Sequence, residues 1–160
     1  MPIQIVRADL NNPVHTEAVL ALLDEYAADP FGRGEGLADD VKGRVVGDLA
    51  AMPSALSFLA YDGEQPVGLA NCFWGYSTFR GAPLVNIHDL AVTAGSRGKG
   101  VGRALLSHVA DYARGEGCCG VTLEVRRDNT RAMGLYRSLG FRGIGDEAAD
   151  SAYQFGTLVL

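Results

Sequence analysis

The sequence predicts a mixed α/β fold. Its 160 residues are enough for one domain with a buried core. Segments with alternating apolar residues are interspersed with segments whose apolar residues recur at helical spacing, so strands and helices should alternate. No repeat, low-complexity tract or linker divides the chain. We therefore assign residues 1–160 to a single domain.

The first third of the chain predicts one strand and two helices. Ile3 and Ile5 alternate with polar neighbours, as in a half-buried strand. Asn12-Pro13 is typical of a helix N-cap followed by proline in the first turn, and an apolar stripe at helical spacing follows it. The glycine-rich segment 29–36 should be a loop. A second, weaker helix is expected over residues 38–52.

Antiparallel strands are predicted for the middle of the chain. Residues 55–61 and 67–76 form strands joined at Asp62-Gly63, a favourable hairpin turn. Gly81-Ala82-Pro83 marks a second turn before a strand over 84–92.

Helices and strands alternate again in the last third. A long helix begins near Val101 and ends at Gly115 and Gly117. The remaining predicted elements are a strand at 121–125, a helix over 129–139 and a final strand over 153–160.

Composition excludes several classes of protein. The net charge of −5 argues against a nucleic-acid binder, which would carry a basic face. The first residues are too polar for a signal peptide, and no apolar run is long enough to cross a membrane. The three cysteines are an odd number without metal-ligand spacing. We expect reduced thiols, no metal, no membrane partner and a cytoplasmic location.

A glycine-rich loop lies between a predicted strand and the long helix. It runs Arg97-Gly98-Lys99-Gly100-Val101-Gly102, and Arg103 follows. Alternate glycines leave backbone N–H groups uncovered at a helix N-terminus, where phosphate oxygens bind well. The spacing fits neither a dinucleotide fingerprint nor a P-loop. A tight strand-to-helix turn without a ligand remains the alternative interpretation.

Two further motifs accompany the loop. One is Ile87-His88-Asp89-Leu90-Ala91-Val92 before it, and the other is Asn129-Thr130-Arg131-Ala132-Met133-Gly134-Leu135-Tyr136 after it. Together, from about residue 84 to 141, they resemble the GNAT superfamily of N-acetyltransferases. The N-terminal half and the last twenty residues carry no motif, and those regions usually select the acceptor.

The resemblance implies about seven mostly antiparallel strands, about four helices and a splayed central strand pair that holds acetyl-CoA. Pantetheine would pair with the fourth strand, and pyrophosphate would bind the glycine loop. Asn129 would meet the cofactor arm, although it could also be only an N-cap. The implied cofactor residues are Leu90, Ala91, Val92, Arg97, Gly98, Lys99, Gly100, Val101, Gly102, Arg103, Asn129, Ala132 and Tyr136.

The resemblance also implies a proton donor for the departing thiolate. Tyr136 occupies the family's tyrosine position, where the hydroxyl faces the CoA sulfur. The alternative is that Tyr136 only packs in the core, as we expect for Tyr112 and Tyr26.

Three residues are candidates for the general base that would take a proton from the amine. Ser77-Thr78-Phe79 and Asp89 resemble the polyamine (diamine) acetyltransferase branch, in which a glutamate stands where this chain has His88. His88 could relay a proton near neutral pH or could be an ordinary strand histidine. Neighbouring strand residues face opposite ways, so His88 and Asp89 share the cleft only if a bulge intervenes. Glu124 is the reserve candidate.

The favoured function is acetyl transfer from acetyl-CoA to a small cationic amine. Acidic residues at 24, 25, 29 and 35 lie, by the resemblance, close to the region that lines acceptor sites in the family. A protein lysine or N-terminal acetyltransferase is the second interpretation. A catalytically silent CoA sensor and a nucleotide-binding module are alternatives from a different class, that of binding proteins. A homodimer is possible. The partner is thus a small amine or a lysine-containing acceptor.

Overall fold

The strands form one sheet whose spatial order is the order of the chain, β1-β2-β3-β4-β5-β6. A computed structural model describes residues 2–145 and 152–160. A 3-10 turn at Ala94–Ser96 follows the fourth strand. The other elements are β1 (Ile3–Arg7), α1 (Pro13–Ala28), α2 (Asp39–Lys42), α3 (Val45–Ala51), β2 (Ala55–Asp62), β3 (Gln65–Ser77), β4 (Ala82–Val92), α4 (Val101–Gly115), β5 (Gly120–Arg126), α5 (Thr130–Ser138) and β6 (Tyr153–Val159).

The pair β4–β5 is the one parallel pair in this described sheet, and it is short. Only Val85–Ile87 and Val121–Leu123 are in register. Beyond them β4 continues to Val92 and β5 to Arg126 without pairing to each other. A parallel pair needs a crossover connection, which α4 provides. The splayed central pair is therefore confirmed, and its open part lies at the carboxyl ends of both strands.

The two faces of the sheet are covered by different helices. The α4 face carries the larger core, in which Phe58, Leu105 and Val109 are fully buried. The α1 face carries a smaller core that includes Leu59 and Leu69. Among the described residues, no helix is both long and apolar enough to cross a bilayer.

The helix expected over residues 38–52 is two short helices. Gly43 ends α2, and Arg44 precedes α3. Neither helix buries a residue or receives a side-chain N-cap, so neither has the apolar stripe that would hold a longer helix together. The mixed α/β class is confirmed despite this difference in detail.

The described residues contain six strands where about seven were expected. Arg142 forms an isolated antiparallel bridge with Thr157, through two backbone hydrogen bonds of 2.9 Å, in place of a full strand. Gly143 and Gly145 have φ values of 86° and 93°, which are incompatible with an extended chain. A β-carbon on Gly143 would lie 2.6 Å from the Phe155 carbonyl oxygen, so only glycine permits this close approach to β6.

Candidate active site

A cleft of about 880 Å3 opens where β4 and β5 diverge. Its walls are the end of β4, the glycine loop, the end of β5, one face of α5 and the last turn of α1. Lys99 and Asp89 are not among its lining residues. The predicted site residues that do line it are His88, Leu90, Ala91, Val92, Arg97, Gly98, Gly100, Val101, Gly102, Arg103, Glu124, Asn129, Ala132 and Tyr136.

The glycine loop has the backbone that an anion site needs. Gly98 and Gly100 adopt φ values of 76° and 85°, in the left-handed region that favours glycine. Gly100 is the N-cap of α4 and offers no side chain to the first N–H groups of the helix. A β-carbon on Gly100 would meet nothing within 4 Å, so the backbone there is open to a ligand. These residues fit a phosphate group.

Arginine side chains border this loop and are held in place. Arg97 forms an ion pair with Asp29 and donates to the Val92 carbonyl oxygen at 3.3 Å. Arg103 donates to the Ser138 hydroxyl at 2.8 Å. Both guanidinium groups therefore approach the cleft from fixed positions.

The α5 face places three predicted residues in the cleft. The Asn129 side chain caps the helix by accepting from the Ala132 N–H at 3.2 Å, and both residues also line the cleft. The two expected roles of Asn129 are therefore compatible. Ala132 has only a methyl group to offer, which permits a ligand to approach the helix closely.

Tyr136 combines a packed ring with a place in the cleft. Its side chain is 6% exposed, and its ring lies 5.8 Å from that of Phe141. Burial, with a smaller contribution from the charge on Tyr26, raises the pKa of the Tyr136 hydroxyl well above its ordinary value. The hydroxyl therefore stays protonated and can donate to a ligand.

A β-bulge brings His88 and Asp89 to the same side of the sheet. Ile87 lies opposite Cys72, and Asp89 lies opposite the preceding β3 residue, Asn71, so His88 is the extra residue of β4. His88 contacts the Phe73 ring edge-on at 5.5 Å and lines the cleft. The bulge that His88 and Asp89 need in order to lie on the same side of the sheet is therefore present.

The other two candidates for the base, Asp89 and Glu124, are carboxylates with different surroundings. Asp89 is half-buried just outside the cleft lining, and its Oδ2 accepts from the Asn71 side-chain amide at 3.1 Å. Glu124 is exposed and lines the cleft from β5, the strand opposite His88.

Tyr26, Phe31 and Arg126 are among the cleft residues that lie outside the sequence motifs. Tyr26 packs against the core on the α1 face, as its helical spacing predicts, and it also lines the cleft. Burial first, and then the charge of Asp89, raises the pKa of its hydroxyl. Arg126 donates to the Pro30 carbonyl oxygen at 3.0 Å and lies 5.8 Å from the Phe31 ring centre. Only the spatial meeting of β5 with the loop after α1 reveals these contacts.

The acidic residues near α1 do not form the anionic surface expected. Asp24 accepts from the Leu37 N–H and pairs with Lys42 at 3.2 Å, while Glu35 pairs with Arg33 at 2.8 Å. Of the four acids, Asp29 alone is among the described lining residues of the cleft, and it is paired with a cation. Glu25 accepts from the Ala94 N–H at 3.1 Å, so each of the four acids has a partner within the protein.

Comparison with curated proteins shows several related acetyltransferases. The streptothricin acetyltransferase of Streptomyces lavendulae is 44% identical over 73 residues, which are 46% of this chain and 37% of that protein. The thialysine N-epsilon-acetyltransferase of Bos taurus is 32% identical over 93 residues, which are 58% of this chain and 54% of that protein. The chain thus matches about half or less of each of these relatives.

Solved structures show the same fold. A chain in the crystal structure of the NatC complex bound to Gag peptide and CoA superposes with a TM-score of 0.70 at 20% identity, covering 100% of this chain and 98% of that one. A family model described as the acetyltransferase (GNAT) family matches residues 19–141. Since this match covers well over half of the sequence, the chain belongs to the GNAT acetyltransferase family.

Proposed function

We propose that this protein transfers an acetyl group from acetyl-CoA to a primary amine, with a small cationic amine as the acceptor. The observation that carries the proposal is the divergence of β4 and β5 beside the glycine loop, with Tyr136 on the adjoining helix face. One opening thus offers a phosphate cradle, an unpaired strand edge and a protonated hydroxyl.

Different walls of the cleft would bind different parts of acetyl-CoA. The N–H groups from Gly98 to Gly102 would hold the pyrophosphate, with Arg97 and Arg103 supplying positive charge. The unpaired edge of β4 near Ala91 would accept the amide groups of pantetheine. When bound, acetyl-CoA supplies a thioester whose carbonyl carbon is attacked directly by the amine.

Tyr136 and His88 would handle the protons. A lysine-like amine has a pKa of about 10.4, so keeping it neutral at pH 7 costs roughly 4–5 kcal/mol. His88, on the acceptor side of the cleft, would take that proton directly or through water, with Glu124 as the reserve. The protonated hydroxyl of Tyr136 would donate toward the departing sulfur.

The direct test is turnover with a panel of amines. Release of free CoA thiol should be measured with spermidine, a short diamine, free lysine, a lysine peptide and an aminoglycoside. Acetylation of at least one cationic amine, with the product confirmed by mass, supports the proposal. CoA binding without turnover of any amine would contradict it and favour the sensor interpretation.

Acetylation of a peptide is the second candidate. Three aromatic side chains stand near the acceptor side, with Phe31 41% exposed and both Tyr153 and Phe155 54% exposed. Phe31 and Tyr153 line the cleft, and exposed aromatic rings suit the side chains of an extended peptide. A lysine peptide that outperforms every small amine in kcat/KM would select this candidate.

A further inference from the structure

Three polar residues form a straight row across the sheet on the α1 face. Ser57 of β2 lies opposite Asn71 of β3, which lies opposite Asp89 of β4. The Ser57 hydroxyl donates to Asn71 Oδ1 at 2.7 Å, and Asn71 Nδ2 donates to Asp89 Oδ2 at 3.1 Å. Ser57 and Asn71 are 4% and 2% exposed, so the row is buried up to Asp89.

The direction of these hydrogen bonds follows from chemistry. An ionised carboxylate only accepts, so the Asn71 atom that faces Asp89 must be the amide nitrogen. The amide oxygen then faces Ser57, whose hydroxyl must donate. Each residue thereby fixes the orientation of the next, and the row ends on one oxygen of Asp89.

The neighbouring rows show that this one does not serve core packing. On one side the row Leu59–Leu69–Ala91 is apolar and buried under α1. On the other side lie Asn86 and the bulge residue His88, both of which line the cleft. A buried polar row is costly to desolvate, and apolar residues of similar size would stabilise a sheet at least as well.

The row also coincides with the bulge. The register of β3 and β4 shifts between Asn71 and Cys72, directly beside the bond from Asn71 to Asp89. That bond therefore holds Asp89 on the same side as His88. The bond from Asn71 uses Oδ2, so Oδ1 of this half-buried side chain is the oxygen that can accept from a ligand.

We propose that Ser57 and Asn71 are positioning residues that hold the Asp89 carboxylate at the acceptor side, where Oδ1 binds the remote ammonium of a diamine. This inference rests on the proposed function. In this proposal the ammonium is bound by Asp89 alone, because the four acidic residues near α1 already have partners within the protein. His88 and Tyr26 are the other titratable groups that face this position.

The test compares 1,4-diaminobutane with butylamine, which lacks only the remote ammonium. Asn71→Leu should raise KM for the diamine about tenfold and Ser57→Ala about threefold, with kcat little changed in both positioning variants. Asp89→Asn, which removes the binding carboxylate itself, should raise KM for the diamine about tenfold. KM for butylamine should stay within about twofold of its wild-type value. Ser57→Thr keeps the hydroxyl and should restore the diamine KM.

Controls separate positioning from a general loss of structure. Val109→Ala removes buried methyl groups from the core on the α4 face, away from the row, so it should lower stability without changing the ratio of the two KM values. The double variant Ser57→Ala/Asn71→Leu should match Asn71→Leu alone, because Ser57 acts through Asn71. If Asn71→Leu does not fold, comparison of the diamine KM in Ser57→Ala and Ser57→Thr tests the positioning role.

Two negative results have distinct meanings. Equal changes in KM for both amines would overturn the positioning role while leaving the acetyltransferase proposal intact. Wild-type protein that acetylates neither amine nor any other cationic amine would overturn the proposed function, and this inference with it.

Discussion

The Tyr136 hydroxyl is a single oxygen atom whose removal leaves the packed ring in place. Tyr136→Phe should retain the fold and the affinity for acetyl-CoA. If the hydroxyl donates to the sulfur, kcat should fall roughly 10²–10⁴-fold, while KM for the amine barely changes. Steady-state kinetics check this, with Tyr112→Phe as the matched control, since Tyr112 packs against Phe58 on the α4 face.

The buried position of Tyr136 also predicts a pH effect on stability. Burial raises the pKa of its hydroxyl in the folded protein above the unfolded value of about 10. The folded state therefore holds this proton more tightly, and the stabilisation is complete below pH 10 and is lost as pH rises above it. The free energy of unfolding should fall by about 1 kcal/mol per pH unit above pH 10 from this group.

Tyr136→Phe should make that alkaline decline shallower. Denaturant unfolding at pH 7, 9, 10 and 11 measures the slope in both proteins. Tyr26 and Tyr61, whose pKa values burial also raises, account for part of the remaining slope. Identical slopes in wild type and Tyr136→Phe would mean that the hydroxyl titrates as in the unfolded chain.

His88 and Glu124 can be distinguished as bases by substitution with glutamine. If His88 accepts the proton of the amine, kcat/KM should lose its acid limb in His88→Gln, since glutamine does not titrate. Glu124→Gln should then keep that limb. The opposite result, with the limb lost only in Glu124→Gln, would transfer the role to the carboxylate.

At the level of elements, the turn into α4 is the part most sensitive to a side chain. Gly100→Val should abolish CoA binding, because valine is strained at a φ of 85° and its side chain would project from the open backbone of the phosphate cradle. Isothermal titration calorimetry measures the affinity. Unchanged affinity would end the assignment of the cofactor to this loop.

Gly134 provides the matched control. It lies within α5, its φ is not positive, and an added β-carbon would meet nothing within 4 Å. Gly134→Ala should bind CoA like the wild type and be more stable by about 1 kcal/mol, since glycine is a poor helix residue.

The elements also show what sequence could and could not predict. The hairpin at Gly63 and the helix start at Asn12 are local features, and both occur where predicted. The bulge at His88 could only be stated as a condition, because it depends on the register against Asn71, seventeen positions earlier in the chain. The break at Gly43 was missed because a weak apolar pattern hides where a helix ends.

The residues of the candidate site likewise include some that the sequence predicts and some that it does not. The glycine loop and the Tyr136 face are short motifs, and their predicted residues other than Lys99 line the cleft. Tyr26 follows the periodicity of a core residue, and Arg126 follows that of a strand end. Nothing local distinguishes a residue that faces a cleft from one that faces a core, so contacts between distant segments could not be predicted.

For the whole molecule, the weakest part of the described sheet is the junction of β4 and β5. Backbone amides of β4 that point into the cleft near Ala91 should exchange hydrogen rapidly, whereas those bonded to β3 should be protected. CoA at 100 times its Kd should slow exchange that requires opening by up to about 100-fold. Hydrogen exchange read by NMR checks this, and unchanged rates at β4 with CoA bound would contradict it.

That junction has a consequence for how the chain folds. Strands β2, β3 and β4 are joined by tight hairpins, so their pairing is between near neighbours in sequence. Strands β5 and β6 form a second group, whose pairing spans α5. The two groups meet in only three paired residues per strand, across the length of α4. Contacts between near neighbours form faster than distant ones, because less chain entropy is lost in closing them. We expect the strand meander to form early and the cleft to assemble only when α4 docks the second group against it.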